Sequence, residues 1–332
     1  MAEANPSAPA GRQDPSALIS IVVPVHNESA NIRPLAEAVA MALGPTPYEL
    51  IFVDDSEDDT FAQIEALAAV DPRVRGLGLS RRFGHQNALS AGLRRARGRA
   101  VIMMDGDFQH PPELLPALIA KWREGFNVVQ TVRQDAGRVP WLRRAAGRAF
   151  YRTFSALCGI PIEPGMADFR LIDRVVLDEL NTLNEGQLFL RGLVAWMGYR
   201  RALVPFQSAP RRAGDTKYGS WRLLKFAKSG IFSFSSIPLR ISIFVGLIMA
   251  ALSLVELAFV IVAYFVEGRP QPGWTSTQAI MSFLFAVLFL LVGIQGEYII
   301  RIYERVQRRP PFLIERQVGG DGTDTTKGPK DT

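Results

Sequence analysis

At 332 residues the chain is long for one domain and short for three, and its net charge of +6 suits anionic partners such as phosphates or a lipid headgroup surface. Nucleic acid is set aside, because the basic residues lie beside apolar runs and no zinc-finger, homeodomain or RNA-recognition spacing occurs. The single cysteine, Cys158, excludes an intrachain disulfide, and its ordinary role is that of a small buried apolar residue.

Residues 1–17 are rich in Ala, Pro and Ser without an apolar core, which predicts a disordered N-terminus and no signal peptide. Leu18–Val25 is an apolar, β-rich run closed by Pro24 and the polar His26-Asn27-Glu28-Ser29. Ser29 or Asn31 can cap a helix running to about Leu43. Strands are predicted at Tyr48–Val53, Val74–Leu79, Ala100–Met104 and Asn127–Val132, with helices at Thr60–Val70, Gly84–Ala96 and Pro112–Glu124. This alternation predicts a parallel sheet with helices on both faces. Ligands of such sheets bind outside the carboxyl ends of the strands. His26-Asn27-Glu28, Asp54-Asp55 and Asp105-Gly-Asp107 all fall there, so they are expected to converge on one crevice.

The fourth strand ends in Asp105, Asp107 and Gln109, at spacing i, i+2, i+4. On an extended chain these side chains share a face. Three oxygen donors suit a hard divalent cation, Mg²⁺ or Mn²⁺, with positions left for substrate oxygens. A strand-end turn that caps the helix at Pro112 is the plainer alternative. His110 would point away from that face, and a structural role is expected for it and for His85.

After Pro140 the organisation changes. Trp141–Leu157 reads as a basic helix, Ala167–Ile172 as a strand, Arg174–Leu183 and Leu188–Met197 as helices, and Tyr199–Phe206 as a strand. Arg211–Ser220 is a basic loop, and Ser220–Ser236 mixes aromatics with Arg222, Lys225 and Lys228, as an interfacial helix does. Ile241–Val266 has 26 residues with one charge, Glu256; Ala279–Ile300 has 22 with one charge, Glu297. At about 1.5 Å per residue either can cross a core of about 30 Å, which predicts a hairpin of two transmembrane helices. The two glutamates are expected to face a partner helix or a polar groove. Arg240 precedes the first run and Arg301, Arg305, Arg308 and Arg309 follow the second, while the linker Glu267 to Gln278 holds one Arg against one Glu. The positive-inside bias puts the soluble domain and both termini in the cytoplasm, on a multi-pass inner-membrane protein. The organisation is then a nucleotide-binding domain at 18–219, juxtamembrane amphipathic helices at 220–240, the hairpin at 241–300 and a basic tail at 301–332, disordered after Glu315.

Several segments, in order, carry a resemblance: Val22-Val-Pro-Val-His-Asn-Glu28, Phe52-Val-Asp-Asp-Ser56, Leu79-Ser-Arg-Arg-Phe-Gly-His-Gln86, Asp105-Gly-Asp-Phe-Gln-His-Pro-Pro-Glu113, Ala167-Asp-Phe-Arg-Leu171, Arg211-Arg-Ala-Gly-Asp-Thr-Lys-Tyr218, Phe234-Ser-Ser-Ile-Pro-Leu-Arg240 and Gly296-Glu-Tyr-Ile-Ile-Arg-Ile-Tyr303. They resemble the family 2 glycosyltransferases of the polyprenyl-phosphate type, a group that includes dolichol-phosphate mannosyltransferases, bactoprenol glucosyltransferases and the aminoarabinose transferases of lipid A modification. The resemblance runs from about Ile19 to Ile314 and implies a GT-A fold, with a Rossmann-like nucleotide-binding sheet. Three positions depart from the usual pattern: Asp-Gly-Asp-Phe stands for Asp-Ala-Asp-Leu, Arg82 for an Asn, and Gly147 for a Ser that often helps hold the acceptor phosphate.

The resemblance implies transfer of a hexose from a nucleoside diphosphate to a lipid monophosphate, with UDP-glucose preferred and GDP-mannose close behind. Asp107 and Gln109 would touch the metal, with Asp105 beside them or on the ribose. Pro24, Asn27, Glu28, Asp54, Asp55 and Asp105 would line the donor pocket, Glu28 and Asp54 being the preferred pair; helix capping is the alternative for these residue types. Arg133, Arg143, Arg211 and Lys217 would hold the acceptor phosphate, since guanidinium forks suit phosphate oxygens. The reaction is expected to rest on Asp107, Asp168, Arg133 and Arg143. The family's proposed base corresponds to Asp168. A phosphate monoester with a second pKa of about 6 is already dianionic, however, so a positioning role suits Asp168 better. Direct attack on the anomeric carbon implies inversion. A processive polysaccharide synthase would need more spans and a Gln-x-x-Arg-Trp element, and this chain has no such element. A non-catalytic membrane scaffold or lipid-translocating partner would have lost a metal ligand, and none is lost. Self-association into a homo-oligomer is left open.

Overall fold

Ile19–Val25 (β1), Tyr48–Asp54 (β2), Val74–Leu79 (β3) and Ala100–Met103 (β4) are the near-continuous apolar runs of the sequence, and they become the parallel centre of a sheet covered on both faces. The computed structural model describes residues 12, 14–134, 165–183, 190–207, 237–267, 273–307 and 309–320, leaving aside some side chains of the last two helices. The chain divides into two units: Met1–Ser155 with Ile160–Tyr218 and Pro310–Thr332, and Ala156–Gly159 with Gly219–Arg309.

Among the described residues of the first unit eight strands are ordered β7-β5-β6-β4-β1-β2-β3-β8, with β5 at Val128–Gln134, β6 at Met166–Asp173, β7 at Arg201–Gln207 and β8 at Ile314–Val318. The parallel direction expected of the first five strands holds, but the sheet as a whole is mixed. β6 lies between β4 and β5 and runs antiparallel to both, and β8 runs antiparallel to β3. Periodicity identifies strands but not their partners, so a strand arriving later in the chain can enter the middle of the sheet. Six strands still point one way, since β5 and β7 are parallel to each other and β5 is aligned with β4.

The helices follow the predicted pattern: α1 (Ile32–Leu43), α2 (Thr60–Ala68), α3 (His85–Arg95), α4 (Leu115–Arg123), α5 (Arg174–Thr182) and α6 (Leu190–Trp196). Neither Ser29 nor Asn31 caps α1 with its side chain; a 3₁₀ turn over Ser29–Asn31 intervenes, and the Asn31 amide donates to the Glu28 carboxylate instead. One sheet face, with Ile21, Val23, Phe52, Val129 and Phe169, packs on Leu35, Val39, Leu118 and Trp122 of α1 and α4. The other face takes α3, where a Cβ on Gly92 would lie 2.3 Å from Val22 Cγ1 and 2.9 Å from Val53 Cγ2. Only glycine lets that helix sit so close.

Two further features depart from expectation. The stretch read as a basic tail contains β8, which closes the β3 edge, with Ser80 N donating to Leu313 O at 3.0 Å and the Arg316 guanidinium 4.1 Å above the Phe61 ring. Five residues with three polar ones between Ile314 and Val318 are too short a signal to read as a strand. At the other terminus, Arg12 lies in the stretch expected to be disordered, yet it is 3% exposed and its Nε is 2.9 Å from Asp173 Oδ2, a charge contact rather than an aligned hydrogen bond.

The second unit holds α7 (Ile237–Glu267) and α8 (Trp274–Val306), and Gly246 of α7 faces Leu291 of α8. Phe283–Glu304, 22 residues of hydropathy 2.1, is long and apolar enough to cross a membrane, and none of it is buried within the chain. The described apolar stretch of α7, Ile237–Leu252, is shorter, so one such helix rather than the expected two is found among the described residues. The expected helix at 141–157, the basic loop at 211–220, the interfacial helix at 220–236 and the Glu256 side chain lie outside the described residues.

Candidate active site

The carboxyl ends of β1 to β5 and β7 and the amino ends of β6 and β8 share one edge of the sheet, which follows from the strand directions alone. A cleft of about 260 Å³ opens there, lined by Pro24, Glu28, Asp55, Arg82, His85, Asp105 and Asp107 among others. Three polar clusters that the sequence placed at strand ends therefore reach one hollow.

On the β1–β2 side, the chain turns sharply at Asn27, whose φ of 57° is left-handed. Its N–H donates to Ser56 Oγ at 2.8 Å and its Oδ1 accepts from Glu57 N at 3.4 Å, so it joins two strand ends rather than lining the cleft. Asp55 lines the cleft and accepts from Gly84 N at 2.9 Å, with His26 Nδ1 3.1 Å away. Asp54 points elsewhere. It is 3% exposed, accepts from Ser56 N at 3.1 Å, and burial pushes its carboxyl up. The strand pleat sends adjacent side chains to opposite faces, so the cleft-side partner of Glu28 is Asp55 and not Asp54.

β4 ends at Met103, so the shared face expected of Asp105, Asp107 and Gln109 does not come from strand alternation. A tight turn with Phe108 at φ 61° follows, which leaves Asp105 and Asp107 lining the cleft and seats Gln109 against Asp107. Asp107 Oδ1 accepts from Gln109 N at 3.0 Å and its Oδ2 from Gln109 Nε2 at 2.9 Å; a half-turn of that amide exchanges N–H for oxygen. Among the described residues no three His, Cys, Asp or Glu side chains cluster as a self-sufficient metal site. The set is two carboxylates and an amide, which fits a hard cation whose other positions go to substrate oxygens.

The same turn folds His110 inward. Its Nδ1 accepts from Asp105 N at 2.9 Å, its ring stacks on Phe169 at 5.1 Å, and burial lowers its pKa, so it is a neutral structural histidine. His85 differs from the structural role expected for it. As the first residue of α3 it lines the cleft with Nε2 3.6 Å from both Asp105 Oδ1 and Asp168 Oδ2. Partial burial pulls the imidazole down, but the Asp168 and Asp105 carboxylates outweigh it and raise its pKa.

Asp168, near the start of β6, is held by two guanidinia. Arg191 of α6 makes a fork, Nε to Oδ1 and Nη2 to Oδ2, both at 2.7 Å, and Arg170 Nη2 donates to Oδ1 at 3.2 Å. Gln86 Nε2 adds a contact to Oδ2 at 3.4 Å. Burial would raise this carboxyl, but Arg191 first and then His85 and Arg170 hold it well below the usual range. Arg170 is fully buried, and desolvation brings its guanidinium down to about 10. The sequence pointed to Asp168 but not to Arg191, which comes from a different element, 23 residues later. Arg133 is exposed at the carboxyl end of β5, on the cleft edge of the sheet, with its N–H donating to Gly165 O at 2.8 Å. Arg143, Arg211 and Lys217 lie outside the described residues.

The model of glycosyl transferase family 2 matches residues 20–180. An uncharacterized glycosyltransferase of Synechocystis sp. is 39% identical over 299 residues, 89% of this chain and 94% of that one. The SfII prophage-derived bactoprenol glucosyl transferase of Shigella flexneri is 38% identical over 306 residues, 91% of this chain and 99% of that one. The solved mannosyltransferase of Pyrobaculum calidifontis in complex with GDP-Man and Mn²⁺ is similar at 18% identity, with a TM-score of 0.45 over 89% of this chain and 88% of that one, which is too distant to transfer residue roles. Near-full-length identity to the first two, together with a mixed sheet whose strand ends gather the family's acidic motifs, makes the chain a family 2 glycosyltransferase of the polyprenyl-phosphate type.

Proposed function

We propose that the chain transfers a hexose from a nucleoside diphosphate to a polyprenyl phosphate, by a single inverting displacement at the cytoplasmic face of the inner membrane. The observation that carries this reading is the cleft, with Glu28, Asp55, Asp105 and Asp107 lining it and the clamped Asp168 beside it through His85. Glu28 and Asp55 suit ribose or base N–H and O–H groups. Asp105, Asp107 and Gln109 would hold Mg²⁺ or Mn²⁺, which neutralises the departing diphosphate. The lipid phosphate oxygen attacks the anomeric carbon while the bond to the diphosphate breaks, and Arg133, Arg143, Arg211 and Lys217 steer the incoming anion. Asp168, held ionised, orients the sugar or acceptor and removes no proton. Glucose from UDP-glucose is favoured over mannose from GDP-mannose because the Shigella relative is named a bactoprenol glucosyl transferase.

The membrane arrangement is a hairpin of α7 and α8 with both termini inside. Helices of 31 and 33 residues exceed what a bilayer core requires, and Arg240 and Arg301 flank the apolar stretches.

Purified protein is offered UDP-glucose, GDP-mannose, UDP-galactose and a UDP-aminoarabinose derivative, each with undecaprenyl phosphate and Mg²⁺ or Mn²⁺. The expected result is a β-configured or otherwise inverted glycolipid from UDP-glucose, abolished by EDTA and by Asp107→Ala in folded protein. Undiminished synthesis under EDTA overturns the metal role, and a retained anomeric configuration overturns the single displacement. For the hairpin, a cysteine placed at Gln271 in a Cys158→Ser background is expected to react with an impermeant maleimide added outside spheroplasts. Labelling only after lysis overturns the two-span reading.

A further inference from the structure

His85 joins the two sides of the cleft from a fixed root. Gly84, just before it, donates its N–H to Asp55 at 2.9 Å, and Gly92, two turns on, seats α3 against β1 and β2. The imidazole therefore projects from a helix start tied to Asp55 and packed closely on the sheet. Its Nε2 is 3.6 Å from Asp105 Oδ1 and 3.6 Å from Asp168 Oδ2, too long for a formed hydrogen bond to either.

The two carboxylates are not equally in need of it. Asp168 is already gripped by Arg191, Arg170 and Gln86. Asp105 has 33% of its side chain exposed, and its other neighbouring ring, His110, uses Nδ1 to accept the Asp105 backbone N–H and so has no proton there to give the carboxylate. Among the described residues, His85 is the side-chain N–H donor within a small adjustment of the Asp105 carboxylate.

We propose that His85 is a positioning residue. Its Nε2–H closes onto Asp105 Oδ1 and sets the orientation of that carboxylate toward the donor diphosphate and its cation, while Asp168, immobilised by its arginines, acts as the stop that keeps the ring from swinging away. The inference rests on the proposed donor site, not on the identity of the acceptor. Hydrogen bonds that orient a ligating group are worth about 10- to 100-fold in metal affinity, which sets the size of the expected effect.

The test reads binding, without acceptor and without turnover. UDP and GDP are titrated by calorimetry into the full chain in detergent, with and without Mn²⁺, for wild type, His85→Ala and His85→Gln. His85→Ala is expected to weaken Mn²⁺-dependent binding about tenfold, and His85→Gln, which keeps an N–H at similar reach, to restore it to within about threefold. Any loss of binding without Mn²⁺ should be smaller than the loss with it, and the melting temperature should be the same for all three. Unchanged Mn²⁺-dependent binding in His85→Ala overturns the proposal, as does a glutamine variant as weak as the alanine one. Equal weakening with and without Mn²⁺ also overturns it, because it would mean a general packing role. A wild type that binds UDP with Mn²⁺ and responds as expected, yet modifies no lipid phosphate, overturns the proposed function and leaves this inference standing. A wild type with no Mn²⁺-dependent nucleotide binding overturns both.

Discussion

Asp168 shows how far environment decides what a carboxylate can do. A fork from Arg191 and a second guanidinium from Arg170 keep it ionised in a buried position, so it has almost no basicity at neutral pH. Its folded pKa is depressed, so its contribution to stability is complete above the unfolded value of about 3.9 and is lost as pH falls through the folded one. Denaturant midpoints between about pH 2.5 and 7 should therefore show no slope from this group above about pH 5 and a fall below about pH 4. Arg191→Met should move that fall to higher pH and lower stability by about 2 kcal/mol, less than for a fully buried pair because Arg191 is 33% exposed. The acidic residues of the cleft were legible in the sequence because strand-end position and residue type suffice to find them. Their partners were not. Arg191 arrives from α6, His110 is turned inward by a left-handed Phe108, and Asp55 rather than Asp54 faces the cleft because of where the pleat falls.

At the scale of elements, Asp173 fastens four pieces of chain. Its Oδ2 accepts from Trp122 Nε1 of α4 at 2.6 Å and meets Arg12 at 2.9 Å, its Oδ1 caps α5 by accepting from Val175 N at 3.0 Å, and its backbone ends β6. Asp173→Ala would leave an indole N–H buried without its acceptor and a buried guanidinium without its counter-charge. The expected loss is about 3 kcal/mol or more in denaturant unfolding. The donor-nucleotide affinity of the surviving folded fraction should be unchanged, since Asp173 lies at the opposite end of β6 from Asp168. Helices and strands of the first half were readable within a residue or two, because long apolar runs and 3.6-residue periodicity leave few alternatives. The place of β6 in the sheet was not, since the pairings that seat it between β4 and β5 link residues about 70 apart in sequence on one side and about 40 on the other.

For the whole molecule, the uncovered apolar surface of α8 is what makes this helix a candidate membrane span. Phe289, Leu290 and Ile299 are 70%, 65% and 63% exposed within the stretch Phe283–Glu304. An arginine near the centre of a transmembrane helix costs about 2.5–3.5 kcal/mol on an insertion scale. Leu290→Arg is therefore expected to shift the protein from the carbonate-resistant membrane fraction toward the extractable one. Equal extraction of variant and wild type would mean that α8 does not cross the bilayer.

Of the described strands, the one that closes the β3 edge is the last made. β8 follows both long apolar helices, α7 and α8, in the chain, so the ribosome has emitted every other described strand before the partner of β3 exists. Until then the nascent sheet presents an open row of amides and carbonyls, the kind of edge on which neighbouring chains aggregate. A premature stop a few codons before Ile314 would release a chain with every acidic residue of its cleft in place and its sheet still unsealed at β3.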